Sequence, residues 1–222
     1  MSRVNILAMA GSVKRRRYDA TGRRAQSAET RTRVLEAARR LFVAGGYRAT
    51  TVAAIAAAAG VNPDTVYSLV GSKPALLGEL IERAVSHADR AVPAEDRDYV
   101  QAVRAEPDPR RKVVLYATAL VETQRQLAPL YKVIREAAPS ESEVGALWRK
   151  ISDRRLQNMQ LFVTDLEAAE PLRAGVTVDD AAHHVWTLNS PDVFLLLTED
   201  RGWSPEQVRD WLAQTWERLL FE

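Results

Sequence analysis

Residues 27–81 read SAETRTRVLEAARRLFVAGGYRATTVAAIAAAAGVNPDTVYSLVGSKPALLGELI and contain four helical patterns separated by short turns. In the first pattern, apolar side chains recur three and four positions apart, as they do along one face of a helix. Gly45 and Gly46 end this helix, because glycine accepts the left-handed backbone angles found after helix C-termini. The apolar positions of the first helix are Val34, Leu35, Ala38, Leu41 and Phe42.

The next three helices are marked by residues that cap helix N-termini. Thr50 or Thr51 can cap the second helix with a side-chain oxygen. Asn62 caps the third helix, and Pro63 takes its first position, where no backbone donor is needed. Ser72 opens the fourth helix in the same way.

Gly60 supplies the turn between the second and third helices, so that these two short helices form a helix-turn-helix. The second helix of this motif enters the major groove of DNA. The sequence therefore predicts that the helix beginning at Pro63 recognises DNA.

The same residues resemble the DNA-binding domain of the tetracycline-repressor-like (TetR) family of bacterial transcriptional regulators. The residues that carry the resemblance are Ala28–Phe42, Gly45-Gly46-Tyr47, Thr50–Ala56, Gly60-Val61, Thr65-Val66-Tyr67 and Ser72–Leu77. The family commonly has an aromatic residue or histidine followed by phenylalanine where this chain has Leu69 and Val70. One phosphate contact of the family is therefore not carried over to this chain.

The resemblance implies an all-α protein with two domains. Residues 27–73 would form a three-helix helix-turn-helix DNA-binding domain, and residues 74–222 a larger helical domain that binds an effector and dimerises. Beyond residue 90 the pattern stays helical, with prolines separating pieces of ordinary helix length. The predicted helices are 95–105, 108–125, 127–137, 141–169, 178–201 with an interruption near Ser190, and 205–220.

Composition restricts the class of protein and points to a basic N-terminal segment. The 222 residues include no cysteine, so we expect no disulfide or thiolate chemistry and a reducing, cytoplasmic location. No apolar run approaches the length of a membrane span, so we expect no membrane partner. Residues 1–26 hold seven basic side chains and one acidic side chain, a balance of +6. We interpret them as a flexible arm that either lies along DNA or remains solvated.

The polar face of the third helix provides the candidate DNA contacts. Asparagine can pair with adenine, aspartate can accept from cytosine, and threonine can offer its methyl group to thymine. Tyr67 and Lys73 match the family positions that bind phosphates. The full set of predicted DNA-binding residues is Arg23, Arg24, Thr50, Thr51, Asn62, Asp64, Thr65, Tyr67, Ser68 and Lys73. Asp64 either reads a cytosine or caps the helix, and we favour the cap.

Apolar residues near the C-terminus suggest a homodimer interface. Two helical hairpins packed across a two-fold axis would form a four-helix interface. The predicted interface residues are Val193, Phe194, Leu197, Val208, Trp211, Leu212, Thr215 and Leu219. The alternative is that these side chains fill the core of a single subunit.

Large aromatic and polar side chains in the second domain are candidates for an effector pocket. Aromatic walls with one or two polar groups suit a drug-sized apolar molecule, although an ordinary core has the same composition. The candidates are Tyr116, Tyr131, Trp148, Met159, Phe162, His183 and Trp186. His183 and His184 are adjacent on a helix and point about 100° apart, so we expect no metal site and no cofactor.

These observations predict a sequence-specific regulator, most simply a homodimeric repressor that leaves an inverted-repeat DNA operator when a small-molecule effector binds. An alternative is a dimeric DNA-binding protein without an effector, and another is a helical adaptor whose helix-turn-helix meets protein. An enzyme is not expected, because the sequence contains no Gly-rich phosphate loop, paired zinc-ligand motif or nucleophile beside a base.

Overall fold

The structure, a computed structural model, describes residues 20–222, with side chains from residue 22 onward, and this part of the chain is folded entirely into helices and turns. The helices are α1 (Ala20–Ala49), α2 (Val52–Ala59), α3 (Pro63–Leu69), α4 (Lys73–Ser86), α5 (Asp98–Ala105), α6 (Pro109–Ala137), α7 (Ser142–Ala169), α8 (Val178–Leu188), α9 (Pro191–Leu195) and α10 (Pro205–Phe221). A 3-10 turn, Ala94–Asp96, precedes α5, and a π-helical turn, Leu196–Asp200, follows α9. The predicted all-α fold is confirmed.

The predicted caps of the DNA-binding domain are confirmed. The Thr51 hydroxyl accepts from the backbone N–H of Ala54 at 3.0 Å and thereby caps α2. The Asn62 side chain caps α3, and Ser72 caps α4. Gly46 has a φ of +73° and breaks the long α1 where the sequence places its end. Each cap satisfies a backbone donor that would otherwise lack an intrahelical partner.

Helix α1 begins earlier than the sequence suggested. We predicted a flexible segment up to residue 26, but α1 starts at Ala20, so that Arg23 and Arg24 lie on its first two turns. No proline interrupts residues 20–27, and helix propagation adds a hydrogen bond for each residue fixed. The rest of the predicted arm, residues 1–19, lies outside the described residues.

One apolar cluster joins the DNA-binding domain to the larger domain. It contains the buried faces of α1, α2 and α3, together with Leu76, Leu77, Leu80 and Ile81 of α4. The same cluster continues into residues 127–137 of α6 and residues 144–151 of α7. Close-packed interiors transmit displacements instead of absorbing them. Helix α4 therefore connects α3 with α6 and α7 through a single packed core.

A second apolar cluster forms the core of the larger domain. It is built from α5, the N-terminal half of α6, the C-terminal half of α7, and α8, α9 and α10. Trp216 is completely buried at its centre, and its ring centroid lies 5.6 Å from that of Tyr116. The two clusters meet along α6 and α7, which run through both.

Helix α6 differs from the prediction, which placed a break between residues 125 and 127. It runs without interruption from Pro109 to Ala137 and contains Pro129. Proline removes a backbone donor and leaves carbonyl groups of the preceding turn exposed. The carbonyl that loses its donor is that of Arg125, and Arg39 of α1 donates to the next one, the Gln126 carbonyl, at 2.9 Å. Both faces of α6 are also packed in the two clusters, so tertiary contacts outweigh the proline.

Two of the helices predicted beyond residue 90, 95–105 and 178–201, are each divided into shorter pieces in the structure. Residues 95–105 form a 3-10 turn and α5, separated by Arg97 in extended conformation. Residues 178–201 form α8, α9 and the π-helical turn, and the Ser190 hydroxyl caps α9 by accepting from Asp192. The predicted interruption near Ser190 is therefore confirmed.

Gly145 in α7 allows the close approach of the α6–α7 turn. A Cβ atom at this position would lie 2.9 Å from the carbonyl oxygen of Ala138, a backbone atom that cannot rotate away. At Gly78 in α4, a Cβ atom would lie 3.5 Å from the flexible end of Leu147. The two glycines are therefore a matched pair for a stability test.

Gly145→Ala is expected to lower the free energy of unfolding by about 1–2 kcal/mol, because overpacking outweighs the gain in helix propensity. Gly78→Ala is expected to raise it by up to about 1 kcal/mol, since the same propensity gain meets only ordinary contact. Urea denaturation of both variants measures the two changes. Equal effects of the two substitutions would contradict the assignment of Gly145 to a close backbone approach.

Candidate DNA-binding surface and ligand groove

The predicted recognition helix α3 presents a polar face to solvent. Val66 is completely buried beneath it, whereas the Tyr67 side chain is 54% exposed. Tyr67 therefore lies outside the core of the domain, where its hydroxyl is accessible to a phosphate. Ser68 is exposed and Thr65 is half-buried on the same helix.

The polar side chains at the start of α3 are placed for different tasks. Asn62 Oδ1 accepts from the backbone N–H of Asp64 at 3.0 Å, which leaves its amide donor pointing away from the cap. Asn62 is thus the cap, and the capping role that we favoured for Asp64 is wrong. The Asp64 carboxylate lies exposed in the first turn, where the helix dipole favours a negative charge. Ser68 Oγ donates to the Thr65 carbonyl at 3.0 Å.

Thr50 is not a DNA contact. Its side chain is buried, and its hydroxyl donates to the carbonyls of Gly46 at 2.8 Å and Leu41 at 3.1 Å. These bonds satisfy carbonyls at the end of α1, so Thr50 fixes the angle between α1 and α2. Thr51 is exposed, and its hydroxyl can donate to a phosphate while its oxygen caps α2. Sequence spacing alone could not separate the two threonines.

Lys73 lies at the first position of α4, at the edge of the surface formed by α3. Its Nζ atom is 4.0 Å from the ring centroid of Tyr47. Partial burial lowers the pKa of Lys73, and Glu141 acts in the opposite direction. Burial, with Glu141 and Glu143, raises the pKa of Tyr47 to about 12. Burial thus disfavours the charged form of Lys73. A DNA phosphate beside the ammonium would favour that form and so offset the effect of burial.

An ion pair that the sequence did not reveal anchors the end of α3. The Arg31 guanidinium pairs with Glu79 of α4, with Nε at 3.0 Å from Oε1, and also donates to the Leu69 carbonyl. Arg83 adds a second contact to Glu79 at 3.6 Å. Arg31 and Glu79 are 48 residues apart in the sequence. No local sequence pattern indicates that they form an ion pair. This network joins α1, α3 and α4.

Arg23 and Arg24 are both exposed near the start of α1. Their position on a helix, rather than on an unstructured arm, gives them a fixed direction relative to α1. They retain the positive charge that a phosphate backbone attracts.

The predicted dimer surface is partly wrong. Phe194, Val208 and Leu212 are buried in the core of their own subunit, because α10 turns the face that contains residues 208, 212, 216 and 220 inward. The half-buried members of the prediction are Val193, Leu197, Trp211, Thr215 and Leu219. Leu196, which the prediction omitted, is 53% exposed beside Leu197. The sequence alone could not show which face of α10 is buried, because that depends on where α6 and α8 pack against it.

Three of the predicted ligand residues line an open groove of about 730 Å³ between α6, α7, α8 and α9. These are Tyr131, Trp148 and Trp186, and Ser152 and Arg135 lie with them. The rings of Tyr131 and Trp148 are 4.8 Å apart between centroids, and the Arg135 guanidinium lies 5.9 Å from the Trp148 ring. A groove of this size and composition can hold a drug-sized molecule.

Three other predicted ligand residues form a separate cluster deeper in the domain. Tyr116 packs on Phe162 with ring centroids 4.6 Å apart, and its hydroxyl donates to Met159 Sδ at 3.4 Å. Burial raises the pKa of Tyr116. None of the three lines the groove. Asn189, which the sequence did not single out, donates to Tyr116 Oη at 3.1 Å and so connects this cluster with α8.

His183 is not part of either ligand feature. It is exposed on α8, and its Nδ1 lies 2.8 Å from the carbonyl oxygen of Asp179. Helical geometry places residue 183 opposite the inward-facing residues Ala181, Ala182 and Val185. The prediction that His183 contacts a ligand is therefore wrong.

The turn between α6 and α7 lies next to both the groove and the DNA-binding domain. Ala138, Pro139 and Gly145 line the groove. Between them, Glu141 Oε1 lies 3.5 Å from Nε of Arg48, at the end of α1. The same carboxylate acts electrostatically on Lys73. A ligand in the groove that displaces this turn would therefore alter the surroundings of Lys73, the proposed phosphate contact.

No helix within residues 20–222 combines the length and the apolar character needed to cross a membrane. A sequence model of the family described as "Bacterial regulatory proteins, tetR family" matches residues 34–80. These residues contain the helix-turn-helix and most of α4. No curated protein matches the chain.

Solved structures of transcriptional regulators share the fold over nearly their whole length. NalD of Pseudomonas aeruginosa, the secondary repressor of the MexAB-OprM multidrug efflux pump, has a TM-score of 0.70 and 22% identity, covering 89% of this chain and 98% of its own. A Saccharomonospora viridis transcriptional regulator in complex with choline has a TM-score of 0.65 and 24% identity, covering 87% and 98%. FadR of Bacillus subtilis in complex with stearoyl-CoA has a TM-score of 0.67 and 16% identity, covering 83% and 96%.

The match of residues 34–80 contains the capped α2 and α3 and the exposed polar face described above. The larger domain shares the helical architecture of the solved regulators. Residues 34–80 therefore match the tetR family of bacterial regulatory proteins, and the chain shares the fold of the solved transcriptional regulators.

Proposed function

We propose that the chain represses transcription as a homodimer and leaves its operator when a small molecule binds in the groove between α6, α7, α8 and α9. The observation that carries this proposal is the position of the α6–α7 turn. Ala138 and Gly145 belong to the groove wall, and Glu141 contacts Arg48 of the DNA-binding domain at 3.5 Å. A ligand that displaces this turn acts directly on the part of the molecule that holds DNA.

The mechanism is a shift between two arrangements of the dimer. A ligand favours the arrangement that it binds more tightly, and the apolar cluster shared by α4, α6 and α7 carries the change to α3. The two recognition helices must match successive turns of the duplex. A change of a few ångströms in their separation therefore weakens operator binding.

A dimer is required by the size of the reading surface. Helix α3 has seven residues, and one such helix contacts too few base pairs for tight, specific binding. Two copies related by a two-fold axis bind an inverted repeat with half-sites one helical turn or more apart. Leu196 and the half-buried stripe of Val193, Leu197, Trp211 and Leu219 supply an apolar surface for this pairing.

The solved relatives support the two finer parts of the proposal. NalD is described as a repressor of an efflux pump, and two other structures hold choline or stearoyl-CoA. A regulator without an effector, whose second domain serves only for dimerisation, is the competing proposal. The groove beside the α6–α7 turn favours the regulator with an effector.

A gel shift with the DNA upstream of the protein's own gene tests the DNA-binding part. We expect binding that weakens steeply between 50 and 200 mM salt, because each phosphate contact releases counterions. Thermal shift against a compound panel separates the two proposals, since a ligand of the folded state raises the unfolding midpoint. A compound that raises the midpoint without weakening the DNA complex would contradict release by an effector.

Glu141→Gln is expected to strengthen DNA binding by about twofold to thirtyfold. The substitution removes a negative charge next to Arg48 and Lys73, and two copies act in a dimer, each worth about 0.2–1 kcal/mol as a surface charge. Fluorescence anisotropy with a labelled operator at low salt measures the change. Glu167→Gln is the control, since it alters net charge equally at a position about 39 Å farther along α7. Unchanged or weaker affinity of the Glu141 variant for DNA would show that the charge of the α6–α7 turn does not oppose DNA binding.

A further inference from the structure

Arg155 lies between the groove and the buried Tyr116 cluster. Its Nη2 atom donates to the Trp186 carbonyl at 2.8 Å and to Asn189 Oδ1 at 2.6 Å, and its guanidinium carbon lies 5.0 Å from the centroid of the Trp186 ring. Trp186 also lines the groove. Asn189 in turn donates to Tyr116 Oη at 3.1 Å. Arg155 therefore contacts Trp186, which lines the groove, and Asn189, which contacts the Tyr116 cluster.

The charge of Arg155 has no carboxylate partner. Within residues 20–222 it forms no ion pair, and both of its hydrogen-bond acceptors are neutral. Burial lowers the pKa of Arg155. Arg155 is half-buried, whereas Lys112, a buried cation of the same domain, pairs with Asp165. A buried charge without a counter-ion is unfavourable, so the surroundings of Arg155 favour a visiting anion.

A second cation adds to the positive potential around Tyr116. Arg97 is buried, and in the described part of the chain it donates only to neutral oxygens, the Val92 carbonyl at 3.1 Å and Tyr99 Oη at 3.3 Å. Both Arg97 and Arg155 act electrostatically on Tyr116. Two guanidiniums thus face one aromatic cluster, and the nearby Asp192 carboxylate, which pairs with Arg135, acts on Arg155 without forming an ion pair with it.

Unpartnered polar atoms in the same region are mainly donors. The indole Nε1 atoms of Trp186 and Trp216 are buried and have no hydrogen-bond partner among the described residues. The one unpartnered acceptor nearby is Oε1 of Gln124, whose amide nitrogen donates to the Asn189 carbonyl at 2.7 Å. Buried donors without partners are unfavourable, and an acidic group supplies the acceptors that they lack.

A cationic ligand is disfavoured by the same geometry. A quaternary ammonium group binds over the faces of aromatic rings. Here the Trp148 face is taken by Arg135 at 5.9 Å, and the Trp186 face by Arg155 at 5.0 Å. A positively charged ligand would have to displace a guanidinium and approach another.

We infer that the effector is an amphipathic carboxylic acid, whose carboxylate pairs with Arg155 behind Trp186 and whose apolar part packs on Tyr131 and Trp148 in the groove. This inference rests on the proposed function. A planar guanidinium matches a carboxylate with two parallel hydrogen bonds, which makes arginine selective for this group. The aromatic walls accommodate an aliphatic or aromatic body.

The test uses probes that share a body and differ in charge. Decanoate and 2-naphthoate are compared with their primary amides and with decyltrimethylammonium, by thermal shift and by release of the operator in a gel shift. We expect at least one carboxylate to raise the midpoint, to release DNA and to bind about tenfold or more tightly than its amide. This comparison uses the unaltered protein, so it stands even if a variant fails to fold.

Variants then assign the preference to one side chain. Arg155→Gln should reduce the carboxylate-to-amide ratio toward one, and Arg155→Lys should retain part of it. Lys150→Gln, an exposed charge change on the same helix, should leave the ratio unchanged. A preference that survives in Arg155→Gln overturns the inference, as does binding of an amide or ammonium probe as tight as that of the carboxylate. If no probe raises the unfolding midpoint, the inference is likewise overturned. The proposed function fails separately, if the gel shift shows no binding of the operator DNA.

Discussion

Replacing Leu196 with aspartate is expected to produce a folded monomer that no longer binds its operator. Leu196 is 53% exposed, so a carboxylate at this position remains hydrated in the single subunit. In the dimer that we propose, the same side chain would be desolvated beside Leu197 and Val193 of an apolar surface. Loss of one of the two recognition helices should weaken specific binding by about a thousandfold.

Sedimentation velocity measures the oligomeric state of this variant, and anisotropy with the labelled operator measures its affinity. Leu161→Asp is the matched control, because Leu161 is 70% exposed on α7, away from the proposed interface. The control should remain dimeric and bind DNA as the unaltered protein does. A dimeric Leu196→Asp, or a Leu161→Asp that is monomeric, would place the interface elsewhere.

Lys73→Ala is expected to weaken binding to all DNA sequences alike, by about 30-fold to 100-fold at moderate salt. The ammonium lies at the N-terminus of α4, beside the exposed face of α3, and a dimer would lose two such contacts. Each phosphate contact contributes about 0.9 to the slope of log affinity against log salt, so the slope should fall by about 2. A salt titration on operator and unrelated duplexes measures both quantities.

Asn62→Ala and Thr65→Ala are the comparison for this prediction. These side chains lie at the start of α3, where substitution should change the preference for particular bases by about 1–3 kcal/mol and leave the salt slope nearly unchanged. Urea denaturation of Lys73→Ala checks that loss of the Tyr47 contact has not unfolded the domain. A changed base preference in Lys73→Ala would contradict its role as a phosphate contact.

Local features of the DNA-binding domain could be predicted from the sequence because their causes are local. Thr51, Asn62 and Ser72 cap helices through bonds to residues two or three positions ahead. Gly46 and Gly60 adopt positive φ angles at the predicted ends of α1 and α2. Thr50 could not be distinguished from Thr51, since only the packing of α1 on α2 shows which hydroxyl is buried.

The larger domain was less predictable because its determinants are far apart in the sequence. Pro129 remains inside α6 because helices on both sides hold it, including Arg39, which is 87 residues away from its acceptor Gln126. Arg155 and Asn189 meet across α7 and α8, so neither attracts attention in its own segment. The inward face of α10 likewise depends on the helices that cover it, which is why Val208 was misassigned to the interface.

Hydroxyl-radical footprinting of the DNA upstream of the gene, combined with the stoichiometry of the complex, shows whether two copies of α3 bind the duplex together. We expect two symmetric patches of protection on one side of the duplex, centred about 34–36 Å or a multiple of this apart, with one protein dimer bound. A single protected patch bound by one chain, or no protection at salt concentrations that permit non-specific binding, would contradict a paired reader of the major groove.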